Sequence, residues 1–375
     1  MNTDLTFDRS GTGPAGRGAG RVPSLPVLAI HPPRQPAIPD EGRSTMQENQ
    51  LPTTMTNGHS EEYFKDYRDF WWNHDFLELM ASRLHLGDCT TLLDVGCGQC
   101  HWSRLLVAFM KKPSEVHAVD SDPKWAAGGA ELTRFFETQC ATIQFKHGDA
   151  QALPYDDSSF DVVTCQTTLI HLRNPKAAIS EMHRVAKPGG LVLCVEPNNV
   201  AGSLVKSNLT EEDSIEAIIK DVKYALAIER GKKLLGEGDN SYGDLLPGAF
   251  ADVGLDDIRV YLSDKATPMY RPYKAPEQQA MLRTIQDWET SNSGPHDWAE
   301  QARYLNALGQ ESDGLCEEMQ KRSQVEMIRY FDAVKTGCYF TAGGTLMYLV
   351  SGRKVEPDSA RRQLFGRVVE TIHHD

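Results

Sequence analysis

The sequence predicts an α/β protein, an open and largely parallel sheet that binds a nucleotide-type ligand at the ends of its strands. Two observations carry this expectation. Residues 91–100, TLLDVGCGQC, set a glycine-rich turn straight after a short apolar run that contains a carboxylate, and a helical pattern follows at residues 102–111. Further short apolar runs then arrive in series, at residues 115–120, 143–145, 160–166 and 191–196, each ending at or near a polar or acidic turn. Near-continuous apolar runs of this length suit strands buried on both faces of a parallel sheet.

Within the first turn, Leu92, Leu93 and Val95 read as a buried strand. Gly96 and Gly98 let the backbone turn tightly and approach a ligand without a Cβ in the way. The dinucleotide fingerprint G-x-G-x-x-G does not fit, because the sixth position from Gly96 is His101. The turn instead resembles the first motif of class I S-adenosylmethionine (SAM) dependent methyltransferases, apolar-apolar-Asp-x-Gly-x-Gly-x-Gly, matched at Leu92, Leu93, Asp94, Gly96 and Gly98. Cys100 stands where the third glycine is usual, which implies a backbone conformation there that tolerates a side chain.

Later segments extend the resemblance in the family's order. Residues 115–120, EVHAVD, resemble its second strand, whose terminal acid, here Asp120 followed by Ser121, accepts hydrogen bonds from the ribose. Residues 147–150, HGDA, resemble the third motif, in which Asp149 and Ala150 contact the adenine. Residues 160–166 resemble the fourth strand, with Gln166 at its end and the loop 167–171 facing the methyl group. Residues 181–196 give a helix end, a Pro-Gly-Gly turn and a fifth strand, as in the ubiquinone and menaquinone methyltransferase-like branch. The resemblance implies a Rossmann-like seven-stranded sheet with an antiparallel last strand, and SAM as cofactor. Residues 255–262 and 344–352 are its candidate sixth and seventh strands. Each assignment has a plainer alternative: an ordinary strand-to-helix turn for Asp94 and Gly96, a surface acid for Asp120, a turn acid for Asp149.

The remaining organisation is read from composition and period. Residues 1–55 are rich in Gly, Pro, Arg and Thr and lack a sustained pattern, so disorder or a start-site artefact is expected, with Met46 an alternative start. Residues 56–88 should form lid helices: seven aromatics fall between Tyr63 and Phe76, with Tyr63 and Tyr67 facing the site. Aromatic walls exclude water and attract a sulfonium. Residues 89–200 form the SAM-binding core, 246–264 and 341–354 return to the sheet, and 355–375 are a tail. Two insertions, 201–245 and 265–340, are long and mostly helical. They should cap the carboxyl ends of the strands and enclose a small molecule rather than a polymer.

Charge and cysteine usage narrow the classes further. Thirty-nine Lys and Arg against 52 Asp and Glu give a net charge of −13, and no dense basic cluster marks a nucleic-acid surface. The apolar piece at residues 27–30 is too short for a membrane span. Cys97, Cys100 and His101 form a C-x-x-C-H string, but no second pair completes a zinc site, so no metal is expected. Eight dispersed cysteines point to a reducing cytoplasm. Met281, Leu282 and Ile285 are compatible with a homodimer, although the protein's own core explains such positions as well.

For the methyl acceptor, residues 229–244, ERGKKLLGEGDNSYGD, read as a non-helical acidic loop. It is either solvated, or one of Glu237, Asp239, Asn240 or Asp244 receives a cationic part of the substrate. Glu196 at the end of the fifth strand and His171 are the candidate proton acceptors, with Asn198 and Asn199 beside them. A strand-end cap for Glu196 and a packing role for His171 are the structural alternatives. The expected activity is SAM-dependent methylation of a small molecule, on an amine or guanidine nitrogen. O-methylation of a phenol or carboxylate, or a non-catalytic SAM-binding partner protein, are the alternatives.

Overall fold

The computed structural model describes residues 64–291, 297–309 and 314–356. The expected N-terminal extension, Met46, the apolar piece 27–30, Tyr63 and the tail beyond Glu356 lie outside them. Seven strands form one sheet: β1 (Thr91–Val95), β2 (Ser114–Asp120), β3 (Ala141–His147), β4 (Phe160–Gln166), β5 (Ala186–Asn198), β6 (Leu255–Leu262) and β7 (Leu346–Lys354). Their order is β3-β2-β1-β4-β5-β7-β6. The first five are mutually parallel, and β7 runs antiparallel to β5 and β6. The seven-stranded sheet with its antiparallel last strand is therefore present. The Pro-Gly-Gly run, expected as a turn before the fifth strand, is absorbed into the irregular start of β5, where the register against β4 shifts.

Among the described residues, nine helices of seven residues or more accompany the sheet: α1 (His74–Leu84), α2 (His101–Val107), α3 (Ala130–Thr138), α4 (Pro175–Val185), α5 (Ile215–Leu234), α6 (Leu246–Asp252), α7 (Pro276–Ser291), α8 (Trp298–Ala307) and α9 (Leu315–Lys335). Successive strand residues face opposite sides, so Leu92 joins Phe76, Met80, Trp102 and Phe136 in one core layer. Leu93 joins Ile179, Met182 and Phe250 in the other. Helices α1 to α3 thus cover one face, and α4 and α6 the other.

Helices α5, α8 and α9 pack around a separate cluster of Ala227, Leu305 and Leu315, with Tyr224 and Ile228 against it. These helices belong to the two insertions, which also contain α7. Three local expectations change. The aromatic segment is broken: a 3-10 helix, Lys65–Phe70, ends before α1, because Asn73 is extended (φ −83°, ψ 132°) and starts a new helix. Helix α2 stops at Val107, and the chain turns so that the Lys111 amide reaches the Cys89 carbonyl at 3.0 Å. Residues 229–234, read as the start of a non-helical loop, belong to α5, Gly231 among them. A Cβ there would sit 2.0 Å from the Tyr304 carbonyl oxygen, so this glycine lets α5 and α8 cross closely.

Candidate active site

The glycine turn after β1 is built from backbone bonds to its neighbour. The amides of Gly96 and Cys97 donate to the Val119 carbonyl at 2.8 and 3.1 Å, and the Gly98 amide donates to Asp120 Oδ2 at 2.9 Å. Gly96 and Gly98 have φ of +68° and +48°, where a Cβ is costly. Cys100 keeps the same left-handed conformation, φ +58° and ψ 28°. The turn has kept the geometry a glycine prefers, and the cysteine carries it at a cost of about 1 kcal/mol. Gly96 also serves a purpose other than the expected approach of a ligand. The space its Cβ would take is filled by Thr168, whose Cγ2 would lie 2.4 Å away.

Three acids stand at or just past the ends of three neighbouring strands: Asp94 in β1, Asp120 in β2 and Asp149 after β3. At about 4.8 Å per strand they span about 10 Å, the reach of a nucleoside. Asp120 is 4 % exposed and accepts from Gly98 and Asp122. Each carboxylate oxygen has two lone pairs, so it can still receive hydroxyl donors. Asp149 Oδ1 accepts from the Gln151 amide at 2.8 Å, with Ala150 buried beside it. Ser121 is exposed next to Asp120, and Gln166 is buried at the end of β4. Turn and acceptors together fit the adenosyl and amino-acid parts of SAM.

Between the cap helices and the carboxyl ends of β4 and β5 lies a cavity of about 710 Å³. Phe64, Tyr67, Trp71, Trp72, Tyr224, Trp298 and Tyr304 supply aromatic walls, while Thr167, Ile170, His171, Pro197 and Asn199 line it from the strand ends. Tyr67, His171, Asn199 and Asn240, all expected at the site, are wall residues. Met281, expected as an exposed apolar position, faces this cavity too.

Four expected residues are placed elsewhere, and each is held by the protein itself. Glu196 is fully buried, and its Oε1 accepts the amides of Thr168 and Leu169 at 3.0 and 2.7 Å. Burial pushes its carboxyl up to about 7, against the pull of those amides. It is the strand-end cap rather than a wall of the cavity. Asn198 donates to Asp244 Oδ2 at 2.6 Å and accepts from the Ala201 amide. Glu237 grips the Arg303 guanidinium with both oxygens and accepts from Tyr304 at 3.1 Å. Asp239 pairs with Lys233 at 3.2 Å and accepts from the Ser241 amide. The Glu237 and Asp239 carboxylates thus dock on the protein instead of reaching for a ligand, and between them Gly238, at φ +102°, lies against the Ile170 carbonyl.

The carboxylates that do line the cavity were missed: Asp221, Glu229, Glu300 and Glu326. Glu229 Oε2 accepts the Asn240 amide at 2.6 Å, and burial pushes its carboxyl up to about 7. Asp221 and Glu326 share Arg322, at 2.9 and 2.7 Å, and burial raises both. Glu300 accepts from Tyr304 at 2.7 Å. Lys232, 4 % exposed, donates to the Ile170 carbonyl at 3.3 Å and to Asn240 Oδ1, and burial lowers its ammonium. A signal existed in α5: Asp221, Tyr224, Ala225, Ile228, Glu229 and Lys232 recur at helical spacing. The cysteine string is buried: Cys97 and Cys100 lie within the turn, and the Cys97 thiol is pushed far up by its hydrogen bond to Cys100 and by burial. Among the described residues no cluster of three metal-ligating side chains occurs, and no helix is long and apolar enough to cross a membrane.

Comparison with known proteins bears on the core. Residues 93–194 match the family described as "Methyltransferase domain". A demethylmenaquinone methyltransferase of Staphylococcus epidermidis is 38 % identical over 127 residues, which is 34 % of this chain and 51 % of that protein. Its counterpart in Staphylococcus aureus is 37 % identical over 107 residues, 28 % and 43 % of the two chains. The chain spans about half the length, or less, of these curated relatives. Among solved structures, the YcgJ protein of Bacillus subtilis shares 17 % identity at a TM-score of 0.42, covering 76 % of this chain and 100 % of its own. Over residues 93–194 the expected resemblance to class I SAM-dependent methyltransferases stands.

Proposed function

We propose that the whole chain is a SAM-dependent methyltransferase whose acceptor is a small molecule carrying an amine or guanidine nitrogen. One observation carries the choice of acceptor: four carboxylates and seven aromatic side chains line one cavity at the carboxyl ends of β4 and β5. Carboxylates pair with a cation, and aromatic faces attract it through their quadrupoles. Among the described residues only two ammonium groups, Lys232 and Lys265, share the lining, and Lys265 pairs with Glu277 at 2.8 Å. Even with Arg322 paired to Asp221 and Glu326, the lining holds more carboxylates than ammonium groups, which favours a cationic over an anionic acceptor.

Asp94, Gly96, Gly98, Asp120, Ser121, Asp149, Ala150 and Gln166 would hold the donor. When bound, SAM supplies a methyl group on a sulfonium, already an excellent leaving group. The residues of this chain then have three tasks. The aromatic walls, Tyr67 among them, exclude water and orient the acceptor. Asn199, Asn240 and the cavity carboxylates bind its polar groups. A protonated amine must also lose a proton before its lone pair can attack. His171 and Glu229 are the wall residues suited to receive it, and Glu196 keeps a supporting role beneath the loop.

A methylation screen with methyl-labelled SAM tests this reading across amines, guanidines, phenols and carboxylic acids. Label transfer to amines or guanidines is the expected result. Transfer confined to phenols or acids would refute the cation reading while sparing the methyltransferase. SAM binding without transfer to any class would favour the non-catalytic partner protein.

A further inference from the structure

Residues 167–171 touch both halves of the site. Thr167, Ile170 and His171 are walls of the cavity. On the donor side, Thr168 Oγ1 lies 3.2 Å from the Val95 carbonyl, and the Thr168 side chain fills the space a Cβ on Gly96 would need. The loop is also strained. Thr167 is β-branched yet has φ +52°, a conformation that persists only where the surroundings over-determine it.

Two buried charged side chains hold this loop from opposite sides. From the sheet, Glu196 Oε1 accepts the amides of Thr168 and Leu169 at 3.0 and 2.7 Å, and the Ile170 amide turns to the same carboxylate. From the cap, Lys232 Nζ donates to the Ile170 carbonyl at 3.3 Å, and the Asp239 amide donates to that carbonyl at 3.0 Å. Glu196 is 0 % exposed and Lys232 4 %. The cap, the loop, Thr168 and the glycine turn are thus joined in sequence.

We infer that Glu196 and Lys232 are positioning residues for methyl transfer: gripping the loop from both sides, they set where the acceptor wall stands against the donor turn. The inference rests on the methyltransferase reading. Neither side chain moves a proton in this role. A glutamine at position 196 keeps an oxygen that accepts the amides, whereas a leucine leaves them without an acceptor. Released, Thr167 would relax toward an extended conformation and draw Thr168 off Gly96. A displacement of about 1 Å is enough to change rates by up to roughly 100-fold.

The test titrates the wild type, Glu196→Gln, Glu196→Leu and Lys232→Met with S-adenosylhomocysteine by calorimetry, with thermal melts alongside. Glu196→Gln should bind within about threefold of the wild type, and Glu196→Leu at least about tenfold more weakly. Lys232→Met should bind about three- to tenfold more weakly, although Lys232 stands on the acceptor side. A purely structural role would lower the melting temperature and leave the affinity of the folded fraction unchanged, and that result overturns the inference. Glu196→Gln as weak as Glu196→Leu overturns it too, since the accepting oxygen is retained. If Glu196→Leu does not fold, Lys232→Met decides, and wild-type affinity there is the contrary outcome. A wild type that does not bind S-adenosylhomocysteine removes the donor reading and this inference together; binding by the wild type with unaffected variants removes the inference alone.

Discussion

Gly231→Ala should destabilise the protein, against the usual sign for such a change in a helix. Alanine is the better helix former by about 1 kcal/mol, which would favour the variant in an isolated α5. At this position, however, the new Cβ would lie 2.0 Å from the Tyr304 carbonyl oxygen, 2.5 Å from its carbon and 2.9 Å from its Cα. Ordinary van der Waals contact starts near 3.4 Å, so the helices must part by about 1 Å or more. The obstacle is backbone on both sides, and no rotamer can relieve it. Overpacking of this kind costs about 1–3 kcal/mol. After the gain in propensity, a net loss of up to about 2 kcal/mol remains. Gly248 in α6 is the internal comparison, because a Cβ added there would meet nothing within 4 Å. Gly248→Ala should be neutral or stabilising by up to about 1 kcal/mol. Urea denaturation followed by circular dichroism measures both. If Gly231→Ala is as stable as the wild type, the close crossing of α5 and α8 is wrong, and with it the shape of the cavity roof.

Three further outcomes follow from the site. Asp120→Ala should raise the dissociation constant for S-adenosylhomocysteine about tenfold or more, from lost charge-assisted hydrogen bonds and a loosened Gly98; unchanged affinity in calorimetry would show the ribose to be misplaced. Glu229, raised to about 7 mainly by burial, holds a proton in the folded state between about pH 4.5 and 7 that the unfolded chain has released. Its contribution to stability is therefore lost as pH rises through that window, by an amount on the order of 3 kcal/mol. Glu229→Gln should accordingly be more favourable relative to the wild type at pH 8 than at pH 4, in denaturation at both values; an equal difference would refute the buried, proton-holding placement. Exposed Cys140 and Cys338 should be alkylated by iodoacetamide in the native protein well before buried Cys97 and Cys100, with peptide mass spectrometry as the readout.

The core was legible in the sequence because its signals are local. Leu92, Leu93 and Val95 form a short apolar run, and residues 160–166 and 255–262 coincide with β4 and β6. Asp94, Asp120 and Asp149 fall at strand ends because parallel strands deliver their carboxyl ends to one edge. The cavity was not legible in the same way. Asp221 and Glu229 come from α5, Glu300 from α8 and Glu326 from α9, and only the packing of three helices brings them together. Glu237 and Asp239 looked better in sequence, being close together among glycines. Their partners Arg303 and Lys233 could not be assigned from composition. The segment 229–244 misled for a related reason: its glycines read as denying helix throughout, yet Gly231 lies inside α5, where it admits α8.

The central claim is that the glycine turn and its three acids hold the methyl donor beside an enclosed acceptor cavity. Calorimetric titration of the wild-type chain with S-adenosylhomocysteine tests it most directly. A single saturable site filling in the micromolar range is predicted, and no heat at high micromolar concentration would contradict the account.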